Sequence, residues 1–489
     1  MTESQKPRLY QHYIDGQWVD SSSGEHFDVF NPYDGSVYAR AAAGTAQDAE
    51  QAVTAADRAF PAWAALAPTE KQRLFLRAAD IVERRHDELA AILAEETGCS
   101  IFFAKFQQNV VQKVLRQAAG WVLEPKGEIL STDVAGDFSM AVRRPLGVVA
   151  SFTPWNGANV LAWRSVVQPI AAGNTVVVKP SEEAPISAGL IVAEVAEEAG
   201  FPAGVINVIS HAPGAAGPIA DVFYESRDVR IINFVGSSRT ARFLADRAGK
   251  TLKRTVMELG GYNPILVLAD ADLDYAVRTA TFSAFFHQGQ VCLCARKILV
   301  ERPLYDEFLS RLTERAEALP QGDPRDPATV VGPLINERAV QLVQSRIQDA
   351  VSKGARVVTG GSYNGLVHEP TILVDVPDEA EASYEETFGP LLIVQPVDSA
   401  EEALEVINKS AYGLTSSILT GDRFRGLELA QQINSGAVHI NIPTIDDDVT
   451  APIGGVKDSG WGRSGPHSRD DFTDLVWVNV QSGERQLPL

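Results

Sequence analysis

The chain is poor in cysteine, in methionine and in positive charge. Three cysteines among 489 residues cannot form the disulfide framework of a secreted scaffold. Lysine and arginine number 43 against 63 acidic residues, a net charge of −20. That balance argues against nucleic acid, whose phosphates demand a basic footprint, and against anionic membrane surfaces. No apolar run reaches the ~18 residues of a candidate membrane span. The opening "MTESQKPRLY" lacks the basic-then-apolar layout of a secretion signal. No short-period repeat is visible. These absences predict a soluble protein of a reducing cytoplasm that binds neither nucleic acid nor membrane.

The rest of the composition is that of an ordinary globular protein, 45% hydrophobic and 22% charged. The length implies two large domains, or three with a small one. "FDVFNPYDGSVYARAAA" (27–43) alternates around a turn and reads as a strand pair. Residues 46–121 are rich in helix formers, with apolar residues three and four apart, and read as helices. From 146 the texture changes to short Val/Ile runs separated by helical stretches: "LGVVASFTP", "NTVVVKP", "GVINVIS", "VRIINFVGS". Such alternation predicts a parallel sheet covered on both faces, with ligands gathered at the carboxyl ends of its strands.

A second alternating region begins near 264 with "NPILVLAD", "ARKILVE", "ARVVTGG" and "PLLIVQPVD", and with helices near 303–318 and 336–353. "KGEILSTDVAGDFSMAVRRP" (126–145) reads as a hairpin and "FTDLVWVNVQS" as a strand. These two segments, far apart in sequence, are expected to pair outside the main domains and form an oligomer contact.

Two of the cysteines, Cys292 and Cys294, lie in "FFHQGQVCLCARK". Their C-x-C spacing and the lack of further nearby Cys or His ligands disfavour zinc. Residues i and i+2 of a strand are poorly placed for a disulfide. A pair of buried thiols and a nucleophile both stay open, although the polar, glycine-containing "HQGQ" suits a loop better than a core.

Other polar motifs fall at strand ends. Asn156 in "TPWNGAN" could donate to a developing oxyanion or be a turn asparagine. Lys179, Ser181 and Glu182 in "VVVKPSEEAP" could meet ribose hydroxyls or form a solvated loop. Gly236 and Ser237 in "NFVGSSRTAR" could expose helix N–H groups to a pyrophosphate. Glu258 in "VMELGGYNP" could be a general base whose pKa is raised by apolar surroundings. In "EETFGP", Glu386 could bind ribose and Phe388 could pack on a ring.

In this order the motifs resemble the NAD(P)-dependent aldehyde dehydrogenase superfamily over essentially the whole chain. "FFHQGQVCLC" is similar to that family's G-Q-x-C block. "PWN", "KPSE", "FVGS", "MELGG", "EETFGP" and "PIGGVKDSGWGR" match its other blocks in order. The resemblance implies an α/β fold: a Rossmann-like cofactor domain (1–124 and 146–257), an α/β catalytic domain (258–465) and a small β-hairpin oligomerisation segment (125–145 and 466–489).

The resemblance also implies Cys292 as nucleophile, Glu258 as general base and Asn156 as oxyanion donor beside the backbone N–H of Cys292. It places Thr153, Trp155, Lys179, Ser181, Glu182, Gly236, Ser237, Leu259, Glu386 and Phe388 at the cofactor. It implies NAD rather than NADP, because Glu182 should repel a 2′-phosphate, and a homodimer or homotetramer with no metal. The positive charge of the cofactor is expected to favour the Cys292 thiolate. The chain departs from the family pattern at Tyr262, Val235, Cys294 and Gly157 without losing a reacting group.

Residues 436–463 and 158–180, with "HIN" (His439–Asn441), resemble the branch acting on benzaldehyde, vanillin and salicylaldehyde. Trp163, Arg164, Val291, Leu293, Ile442 and Ile445 are therefore expected near the substrate, with Gly157 leaving room for a planar ring. The alternatives are an aldehyde dehydrogenase of broad or aliphatic specificity, a cofactor-independent cysteine hydrolase with His287 as base, and a non-catalytic binding protein.

Overall fold

The computed structural model describes residues 7–484. The outermost residues of the expected first and third segments, 1–6 and 485–489, lie outside the described residues. The antiparallel pair His26–Phe30 and Val37–Ala42 forms where the alternation placed it, and Arg8–Tyr10 adds to it in parallel. Four helices follow: Ala46–Ala65, Pro68–Arg84, His86–Thr97 and Ile101–Trp121. Their punctuation is local. Thr45 and Asp48 close a capping box on the first, proline opens the second, and left-handed Gly98 ends the third before Ser100 caps the fourth.

The first large sheet has eight strands, in the order Gly460–Trp461, Arg254–Glu258, Val229–Val235, Val148–Thr153, Thr175–Pro180, Ile206–Val208, His12–Ile14, Gln17–Val19. The five from Arg254–Glu258 to Ile206–Val208 run parallel, and antiparallel strands close both edges. Val148–Thr153 and Thr175–Pro180 are buried at every residue, as expected of strands with helices on both faces. The edge strand Gly460–Trp461 comes from a stretch that sequence reading assigned to the second domain.

The second large sheet has seven strands: Arg356–Thr359, Thr371–Val374, Leu391–Val397, Lys297–Glu301, Ile265–Val267, Thr415–Leu419 and Ala437–Ile440. All are parallel except the first. The two segments expected to pair do so: Thr473–Val480 runs antiparallel to Phe138–Pro145 along its whole length, and Gly127–Leu130 completes a three-stranded sheet. One apolar cluster, including Trp63, Phe75, Leu115, Trp163 and Ile170, joins the N-terminal helices to the first sheet. It extends to Phe286, Cys294 and Ile445 beside the candidate site.

Candidate active site

The site is built from opposite edges of the two large sheets. The first sheet contributes its carboxyl edge. Register pairs Glu258 with Val235 and Phe234 with Phe152, so Glu258, Gly236 and the turn carrying Asn156 emerge at one level. Gly236 N–H donates to the Glu258 carbonyl at 3.0 Å, locking that level. The second sheet contributes its amino edge: Asn263, the Cys292 loop and Glu386–Phe388 all precede strands.

The Cys292 loop follows helix Leu273–Phe285 through a backbone of unusual conformation. His287, Gln288 and Gly289 have φ of 50°, 53° and 70°, and each non-glycine residue there costs on the order of 1–2 kcal/mol. Side chains hold the loop against that cost. Gln288 Nε2 donates to Gly98 O at 3.0 Å and Pro333 O at 3.1 Å. Arg296 donates to Gly289 O at 2.6 Å and Gly389 O at 3.1 Å. Asn263 Nδ2 donates to Cys292 O at 2.6 Å and Cys294 O at 2.8 Å, and its Oδ1 accepts from Thr415 N at 3.2 Å. Asn156 Nδ2 donates to Gln290 O at 3.0 Å. This bond ties the candidate oxyanion donor to the nucleophile loop and leaves its second N–H for another acceptor.

Burial pushes the Cys292 thiol up to about 12, and the carboxylates of Glu386 and Glu258 add to that rise. Burial also raises Glu258, opposed by a 2.8 Å hydrogen bond from Ser464 Oγ and by the Arg164 charge. Arg164 is itself anchored in an ion pair with Asp447.

Most of the expected cofactor positions follow strands of the first sheet, whereas Glu386 and Phe388 precede a strand of the second. Lys179 Nζ is buried beside Phe152 and His211, and burial lowers its pKa to about 8. Ser181 N–H donates to Thr153 O at 2.9 Å, and Glu182 is half-buried in the same loop. Ser237 caps helix Ser238–Lys250, which leaves that helix start open to an anion. Trp155 and Phe388 meet edge to face at 5.6 Å, and Leu259 is buried. Glu386 lies against the Gly260–Gly261 turn and accepts from Gly261 N–H at 3.2 Å. A buried ammonium with an unused N–H, a capped helix start and two facing aromatics together suit a dinucleotide.

Among the expected substrate residues, Arg164, Val291, Leu293 and Ile445 come together at the edge of the shared apolar cluster. Three expectations need correction. Trp163 is 0% exposed and belongs to the core, because its helix turns that face toward the N-terminal helices. Ile442 is 40% exposed, since its strand has ended and its carbonyl is taken by Ser417. Gly157 does not open space: a Cβ there would meet Leu161 Cδ1 at 3.0 Å.

Sequence reading missed a group of aromatics from two helices. Phe286 lies 5.0 Å from Phe103, 6.4 Å from Phe106, 4.7 Å from Phe282 and 6.2 Å from Phe102. The signal was present as "IFFAKF" and "TFSAFF", two helical faces that only tertiary packing joins. It also missed Asn263, Arg296, Ser464 and His211. Tyr262 is structural, its OH donating to Ala382 O at 2.7 Å. Among the described residues, no group of three or more His, Cys, Asp or Glu is placed to hold a metal ion. A cavity of about 620 Å³ lined by Asp270, Tyr275, Arg311 and Asn441 lies at the opposite, carboxyl edge of the second sheet.

Comparison with known proteins gives the same arrangement a family. The pattern of the aldehyde dehydrogenase family matches residues 18–478. The chain is 41% identical over 477 residues to a vanillin dehydrogenase of Pseudomonas fluorescens, covering 97% of this chain and 98% of that one. It is 34% identical to a benzaldehyde dehydrogenase [NAD(+)] of Pseudomonas putida, covering 97% of each. Its fold superposes on the crystal structure of a salicylaldehyde dehydrogenase from Pseudomonas putida G7 complexed with salicylaldehyde. That match has a TM-score of 0.96 and 36% identity, covering 99% of this chain and 100% of that one. The chain belongs to the aldehyde dehydrogenase family, oxidoreductases that act on aldehydes with a nicotinamide cofactor.

Proposed function

We propose that the protein oxidises an aromatic aldehyde of the benzaldehyde or vanillin type to its carboxylic acid with NAD, through a thiohemiacetal and then a thioester on Cys292. The observation that carries this reading is the convergence of Cys292, Asn156 and Glu258 at facing sheet edges, with Asn156 bonded into the nucleophile loop. The names of three similar proteins support an aromatic substrate. So do the apolar side chains of Val291, Leu293, Ile445 and Phe286.

With its proton passed to solvent, the Cys292 thiolate attacks the aldehyde carbon, and the carbonyl oxygen becomes an oxyanion. The free N–H of Asn156 and the backbone N–H of Cys292 stabilise it. Arg296 and Asn263 keep the loop from relaxing away from that geometry. What NAD supplies when bound is an acceptor for the hydride expelled as the adduct collapses to a thioester. Glu258 in its carboxylate form then takes a proton from the water that attacks the thioester and releases the acid. Lys179 and Glu182 hold the ribose, and the Glu182 charge disfavours a 2′-phosphate.

The deciding assay follows NADH formation with benzaldehyde for the wild type and for Cys292→Ala. Activity is expected only in the wild type, with a higher kcat/KM for benzaldehyde than for unbranched aliphatic aldehydes and for NAD than for NADP. A clear preference for an aliphatic aldehyde overturns the aromatic reading, and equal kcat/KM for the two cofactors overturns the NAD preference. A hydrolase with His287 as base is disfavoured: His287 packs 4.6 Å from Phe103 with no hydrogen-bond partner on either ring nitrogen among the described residues, and burial lowers its pKa to about 3.

The three-stranded sheet leaves Trp477 and Leu475 exposed on one face and Ile129 on the other, apolar surface that suits a homodimer or homotetramer. A monomeric mass by light scattering would refute that assembly. No helix of the described residues is long and apolar enough to cross a membrane, which accords with a cytoplasmic enzyme.

A further inference from the structure

His211 matches no role assigned so far, yet it is wholly buried against Lys179 and Glu182. It follows strand Ile206–Val208, the parallel neighbour of Thr175–Pro180, so both residues leave the same sheet edge. Its Nδ1 lies 2.9 Å from Ala212 O. That carbonyl can only accept, so Nδ1 carries the proton and Nε2 presents a lone pair. Nε2 lies 2.5 Å from Lys179 Nζ and 3.7 Å from Glu182 Oε2. Lys179 gives a second hydrogen bond to Pro180 O at 3.3 Å. An ammonium has three N–H groups, and among the described residues the third has no acceptor. Lys179 and Glu182, although neighbours of the same imidazole, form no ion pair with each other among the described residues.

We infer that His211 is a positioning residue of the cofactor site that keeps Lys179 and Glu182 apart. Its neutral ring occupies one ammonium N–H, leaving another N–H and the Glu182 carboxylate for the two hydroxyls of one ribose. The inference rests on the dinucleotide reading given above. Without this acceptor, the desolvated ammonium has one strong alternative, the Glu182 carboxylate. Closing that pair would consume both groups that a diol needs. The imidazole also adds no positive charge of its own to offset Glu182 when a 2′-phosphate approaches.

The test measures NAD binding and steady-state kinetics on the full chain for wild type, His211→Leu, His211→Gln, His211→Asn and Lys179→Ala. Loss of a hydrogen bond to a charged group implies a Kd and KM for NAD raised about tenfold in His211→Leu, with kcat changed less than threefold. Gln carries an oxygen long enough to reach Lys179, and His211→Gln should bind NAD within about threefold of wild type. The shorter His211→Asn should behave like the Leu variant. If the Leu variant fails to fold, the Gln and Asn pair decides.

Equal weakening in Gln and Asn, or no weakening in Leu and Asn, overturns the positioning role. Lys179→Ala separates the two levels of the argument. If it weakens NAD binding while the His211 variants do not, only this inference fails. If it binds NAD like wild type, the reading of this edge as a cofactor site fails as well.

Discussion

The two sheet edges that meet at Cys292 are ordered in different ways. On the first sheet, side chains stand where parallel register puts them. Glu258 is the last residue of its strand, Lys179 lies one residue from the end of its own, and Asn156 follows Thr153 by three. On the second sheet, the reacting loop precedes its strand and runs through consecutive left-handed residues. It is held by side chains distant in sequence: Asn156 reaches it across 134 residues, Asn263 across 29 and Gln288 ties it back across 190. Ordinary strand ends therefore suit the residues proposed to bind and to take protons. Consecutive left-handed residues countered by long-range hydrogen bonds fall on the loop of the proposed nucleophile, whose position has to be most exact.

Variants can break this contrast on either side. The largest effect is expected from Asn156→Ala, which removes the proposed oxyanion donor and a loop tether together. Its kcat should fall roughly 10²–10³-fold with KM little changed, measured at saturating NAD. A fall below tenfold would mean that the amide only tethers. Next is Arg296→Met, which strands the buried carbonyl of Gly289, while that of Gly389 keeps its bond from Leu391 N–H. Denaturant unfolding should show a loss of about 1–3 kcal/mol, together with reduced kcat. An equally costly substitution far from the loop should leave kcat intact.

The Glu258 prediction concerns pH. Its folded pKa is raised by burial, and the proposed base must be ionised. Activity should therefore fall as pH drops through a value above the ordinary glutamate range, and Glu258→Gln should lose that limb. In Glu258→Gln, a burst of NADH followed by a stall would place the defect in thioester hydrolysis; a slow burst would move it to acylation. The smallest effect is expected at Cys294, whose buried thiol donates to Phe286 O at 3.6 Å. Cys294→Ala should cost about 1 kcal/mol of stability and less than a twofold change in kcat. Altered peroxide sensitivity in that variant would instead make Cys294 a redox partner of Cys292.

Much of the fold was legible in short stretches. The Val/Ile runs became strands because apolar β-branched residues suit a sheet buried on both faces. Thr45, Pro68, Gly98 and Ser100 punctuated the N-terminal helices by local capping alone. The pairing of 138–145 with 473–480 was expected from two alternating segments set apart from the main domains. The substrate side was less legible. Trp163 and Ile442 fitted a pocket by their neighbours in sequence, but helix rotation sent one into the core and strand termination left the other at the surface.

Sequence alone supplied the residue types proposed to carry the chemistry and their order along the chain, because thiol, carboxylate and amide sit in motifs a few residues long. It also determined the sheet-forming segments, because period and β-branching are local properties. Only the tertiary structure decided what surrounds them: the Asn263 and Arg296 tethers, the Ser464 bond to Glu258, the Phe102–Phe286 aromatics and the imidazole between Lys179 and Glu182. Each of these depends on residues tens to hundreds of positions apart being brought within hydrogen-bond or van der Waals reach, and no local pattern encodes that distance.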